Sequence, residues 1–168
     1  MGAWGEGTFQ NDAAVDLLSE VESRGVEAVR DALRRAARTP EDGYLDADDG
    51  ASAIAAAELV AATSGHGKER LPTRALGWLD EVASVISADD LALARLAVDR
   101  VVAHNSELAA LWADHGPESG WHQQIRALLS KLPEGSAAAP EQRDEDPHLQ
   151  SKQALVSFLF MRGLEPTD

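Results

Sequence analysis

Three carboxylates, Asp12, Asp16 and Glu20, recur at i, i+4 and i+8. A helix puts residues four apart on one face, so the three predict an acidic stripe. Like charges at this spacing cost about 0.2–0.5 kcal/mol per pair. A divalent cation or opposing arginines would relieve that repulsion. Clustered carboxylates on a metal can also run hydrolysis, with Glu58 as a further acid to complete the set. Such an ion needs more oxygen ligands than one helix face supplies. No metal is therefore expected, and Asp12, Asp16 and Glu58 are the candidates for one. The plainer reading is a solvated acidic face.

Other constellations fall short of their chemistry. Gly2, Gly5 and Gly7 precede a helix start, where backbone N–H groups attract phosphate. No strand comes before them, no lysine follows, and Asp12 and Asp16 would repel an anion. The glycines read instead as positions of positive φ, letting Trp4 and Phe9 plug into the protein. Asp46, Asp48, Asp49 and Gly50 imitate a calcium loop. The glycine falls one place early, and Ala57 stands where the bidentate acid belongs. This stretch reads as a capping loop, with Asp49 capping an alanine-rich helix over 51–63. His115 and His122 flank a Gly-Pro turn, but third and fourth zinc ligands are missing. No serine lies in a Gly-x-Ser-x-Gly elbow. No cofactor is implied.

The elements that must position these residues are helices. Asn11 stands at an N-cap, followed by Ala14, Leu17, Leu18 and Val21 at helical spacing. Gly25 divides this helix from a second, which carries Val26, Val29, Leu33 and Ala36 and stops at Thr39-Pro40. The 51–63 helix is almost uncharged, so it should be buried on most sides. Pro72 opens another helix as its first residue, with Leu76, Leu79, Val82 and Ala83 as its face. Ser87 and Asp90 make a capping box for a helix bearing Leu91, Ala94, Val98, Val101 and Val102. Asn105-Ser106 marks a restart, and a last helix runs over about 118–132. No segment alternates with a strand's period of two. Residues 133–148 read as an acidic Pro/Ala-rich linker. Residues 149–168 form an apolar extension whose 149–162 part could dock as a helix.

Composition narrows the setting. The chain has 168 residues and a net charge of −14, which repels nucleic acid and anionic lipid. Residues 1–60 hold 13 acids and 5 bases, so the charge is concentrated early. There is no cysteine, which removes disulfides and thiolate metal sites. The start shows neither a basic n-region nor an apolar h-region, and no apolar run reaches the roughly 20 residues that span a bilayer. A cytoplasmic protein is expected.

The opening Gly-Ala-Trp-Gly-x-Gly-x-Phe-x-Asn-Asp-x-Ala resembles the signature of an uncharacterised bacterial domain family. Similar stretches follow at Tyr44-Leu45 with Ala53 to Ala61, and at Ser106 to Trp112 with Gly120-Trp121. The resemblance covers about residues 1–132. It implies a small, acidic, all-helical fold and carries no activity and no catalytic residues.

The expected architecture is all-α: a single bundle of six or seven helices over 1–132, with a glycine-aromatic plug. Trp4, Phe9, Asn11, Trp112 and Trp121 are its expected anchors, and Asp12, Asp16 and Glu20 its candidate functional face. The leading functional expectation is a non-catalytic acidic module that binds another protein. An immunity- or inhibitor-type binder of a basic toxin or nuclease is one version. A metal-assisted hydrolase is the alternative. The protein is expected as a monomer, or as a homodimer through 149–162.

Overall fold

Helix α3 (Ala47–Thr63) organises the structure, a computed structural model that describes residues 5–134. It packs against all six other α-helices: α1 (Asp12–Arg24), α2 (Val26–Arg38), α4 (Thr73–Val82), α5 (Ala88–Val102), α6 (Glu107–Ala113) and α7 (Gly120–Leu129). Its sequence explains this position. Eight alanines and one glycine leave little side chain between the axes, so neighbours approach closely on every side. Thirteen of its 17 residues are buried, which leaves only its first turn and a few edge positions wet. The densest packing joins α3 to α2 and α5. The fold is an all-α bundle of seven helices and one 3₁₀ turn (Lys68–Arg70) among the described residues.

Local signals set the helix ends. The Asn11 side chain accepts a 2.8 Å hydrogen bond from the Ala14 N–H and begins α1. Ala14, Leu17, Leu18 and Val21 are all buried, as their spacing predicts. Gly25 alone joins α1 to α2, with φ 62° and ψ −144°, a conformation that glycine reaches without a Cβ penalty. Ser87 and Asp90 form the expected capping box of α5. The described residues contain no strand, but one isolated parallel bridge pairs Leu45 with Ser106. It fixes the entry to α3 beside the entry to α6.

Some boundaries differ from expectation. Asp46, not Asp49, caps α3, and its carboxylate accepts from the Asp49 N–H at 2.9 Å. The helix therefore starts at Ala47, and Asp48 and Asp49 complement its dipole in the first turn. Pro72 is the N-cap of α4 and not its first residue. The buried face of α4 is Ala75, Trp78, Leu79 and Val82, while Leu76 and Ala83 are exposed. The large Trp78 decides which face turns inward. Helix α7 is shorter than 118–132, because Ser119 caps it.

The chain divides into two units, Met1–Gly135 and Ser136–Asp168. The 135–148 part of the linker and the 149–168 extension lie outside the described residues, as does Trp4. Among the described residues no helix is long and apolar enough to cross a membrane.

Candidate functional site

The opening segment, residues 5–10, folds as turns against α7. Gln124 holds it: the side-chain oxygen accepts from the Thr8 N–H at 3.2 Å, and the amide nitrogen donates to the Glu6 carbonyl at 2.9 Å. The Gly7 N–H donates to the Gln10 side chain at 3.0 Å. Neither Gly5 nor Gly7 lies at positive φ, contrary to expectation. They serve close approach instead. A Cβ on Gly5 would stand 2.0 Å from Gln10 Oε1, so glycine there lets that side chain fold back across the turn. Phe9 is half-buried against the core.

This segment is a wall shared by two cavities, since Gly7 and Thr8 line both. On one side is an apolar pocket of about 260 Å³. Its lining includes Ala51 and Ile54 of α3, Leu108, Leu111 and Trp112 of α6, and Trp121 of α7. The Trp112 and Trp121 rings stack with centroids 6.0 Å apart and 5° between planes. His115 and His122 pack on the same pair, each 4.9 Å from an indole. They are parts of an aromatic cluster. Trp121 is buried and Trp112 half-buried in this cluster. Trp78 is buried separately in α4, and its indole N–H has no acceptor among the described residues.

The acidic stripe forms a groove of about 230 Å³ with the first turn of α3. Asp12, Asp16 and Glu20 line it from α1, and Asp48 and Asp49 face them with Arg35 of α2. Arg35 is paired with Asp49 at 3.2 Å, and Glu20 with Arg24 at 3.1 Å. Sequence alone gave the three aligned acids. The two from α3 enter because the chain reverses at 39–46, which no periodicity in α1 encodes. Asp12, Ala13 and Asp48 line both the groove and the apolar pocket, so the two adjoin at these residues.

Glu58 does not join the acidic groove. It lines the second cavity beyond the opening segment, of about 620 Å³, and pairs with Lys131 at 3.5 Å. The suggested set of Asp12, Asp16 and Glu58 is therefore divided between the acidic groove and the second cavity. Among the described residues no three His, Asp or Glu side chains stand close enough together to hold a metal ion.

Residues 2–124 match the family described as Domain of unknown function (DUF4259). The chain belongs to that family. The match spans the opening segment, α1 to α6 and half of α7 up to Gln124, so the apolar pocket and the acidic groove lie inside it. No curated protein and no solved structure matches the chain.

Proposed function

We propose that this domain is a bacterial, cytoplasmic protein-interaction module without catalysis of its own, and that its partner is a basic protein segment carrying a large apolar side chain. The observation that carries this reading is that the apolar pocket and the acidic groove lie side by side, with Asp12, Ala13 and Asp48 lining both. An apolar anchor would sit against Trp112, Leu108 and Ile54, where desolvated aromatic contacts supply most interface energy. Lysines or arginines beside the anchor would lie over Asp16, Glu20 and Asp48. The net charge of −14 would steer such a partner and speed its encounter. An inhibitor of a basic toxin or nuclease is one form of such a module.

Selection from a displayed library of random peptides tests this. Enriched peptides should place an aromatic or aliphatic residue next to Lys or Arg. Leu111→Glu at the pocket and Asp48→Lys at the junction should each abolish enrichment. Peptides that ignore both substitutions, or no enrichment, would reject the reading.

A further inference from the structure

A second cavity lies on the far side of the opening segment and shares only Gly7 and Thr8 with the apolar pocket. Beyond the first turn of α3, Glu58 is the sole ionisable residue of that helix, and it is only 3% exposed. Its single hydrogen bond among the described residues comes from Lys131 Nζ at 3.5 Å, the outer limit for such a contact. A carboxylate that deep costs free energy unless its lone pairs are filled. Burial pushes its pKa up, and nearby Lys131 only partly opposes this. The residue borders a cavity of about 620 Å³, a size ordinary for small-molecule sites.

The remaining lining complements the carboxylate. Arg70 lies at the exposed rim and forms no salt bridge among the described residues, yet is near enough to Glu58 to act on its charge. Gln10 and Gln123 supply neutral amides, and Phe9 an apolar wall. A simple anion would meet Glu58, and a simple cation would meet Arg70 with Lys131 close behind. A molecule carrying both charges satisfies the two ends. We propose that this cavity binds a small zwitterion of the α-amino acid class, with its ammonium on Glu58 and its carboxylate on Arg70.

The test is an amide-resonance titration of the full chain with each of the twenty standard amino acids at up to ~10 mM, the millimolar range of weak ligands. At least one should shift the resonances of Gly7, Thr8 and Gln123. Its N-acetyl form should not bind, and its carboxamide should bind about tenfold more weakly, as loss of one charge contact allows. Arg70 is exposed, so Arg70→Met should fold normally. It should weaken the free amino acid by about tenfold and leave the carboxamide unchanged. No shift with any of the twenty, equal binding of the N-acetyl form, or indifference to Arg70→Met would each overturn the proposal.

Discussion

Arg30 grips Asp90 through two parallel hydrogen bonds, Nε to Oδ1 at 2.8 Å and an Nη to Oδ2 at 2.9 Å. The pair ties the middle of α2 to the first turn of α5. The same carboxylate accepts from the Ser87 N–H at 2.9 Å and from its hydroxyl at 3.0 Å. One side chain thus completes a helix cap and an interhelix clamp. The Arg30 guanidinium, helped by the Ser87 contacts, holds the Asp90 carboxyl down at about 2 against an ordinary 3.8.

Removing that carboxylate leaves half-buried Arg30 with only the exposed Glu27 as an acidic partner and uncaps α5. Asp90→Ala should cost about 3 kcal/mol, the scale of breaking a shielded ion pair by deleting one partner. Urea unfolding at pH 7 measures it. The pH dependence has a definite sign. A depressed carboxyl pKa stabilises the fold above the unfolded value and loses this as pH falls through the folded one. The gap between wild type and variant should be full above pH 4 and shrink steadily toward pH 2. A gap that stays constant over this window would show that Asp90 acts by packing alone.

Arg100 makes a different kind of anchor. It is 7% exposed and donates to four carbonyls: Thr39 at 3.1 Å, Pro40 at 3.2 Å, Gly43 at 2.7 Å and His104 at 3.4 Å. A planar five-donor fork can serve several carbonyls at once, and an ammonium cannot. Both Arg100→Ala and Arg100→Lys should lose about 2–3 kcal/mol. Amide exchange over 39–45 should speed up in both, and more than in α3. A lysine variant that matched wild type would contradict this geometry.

What could be read from the chain was local. Asn11, Ser87 with Asp90, and Thr39-Pro40 mark their helix ends through contacts within a few residues, so their positions followed from sequence. The burial of α3 followed from its alanines. Pairings across the bundle were not legible. Arg30 with Asp90 spans 60 positions, and nothing in either neighbourhood selects the other. The candidate face shows the same division. Asp12, Asp16 and Glu20 align by helical period, while Asp48 and Asp49 join them only through the turn between α2 and α3. Glu58 was legible as an isolated charge in an apolar helix, but its direction away from Asp12 was not.

The acidic groove predicts a trade-off between stability and binding. Asp16 is exposed and shares the groove with Asp12, Glu20, Asp48 and Asp49. Asp16→Asn removes like-charge repulsion without disturbing packing. Thermal unfolding at low salt should show a gain of about 0.5 kcal/mol, fading as salt screens the groove. The same change should weaken basic peptides that the domain selects. Destabilisation at low salt would mean that the acids are already compensated in the native state.

The shared wall between the two cavities hangs on Gln124. Its side chain makes three contacts with the opening segment, to Glu6, to the Thr8 N–H and to the Thr8 hydroxyl. Residues 5–10 bury little apolar surface apart from Phe9, so these bonds hold a segment that packing alone secures weakly. Gln124→Ala should cost only about 1–2 kcal/mol globally, because Gln124 is half-exposed and lies off the core. Locally the effect should be larger. Protection of the Gly7 and Thr8 amides against exchange should fall far more than that of α3, and the apolar pocket should lose affinity for selected peptides. A variant that loses global stability while keeping Thr8 protected would place the wall's support in Phe9 instead. Phe9→Ala would then be the substitution that opens it.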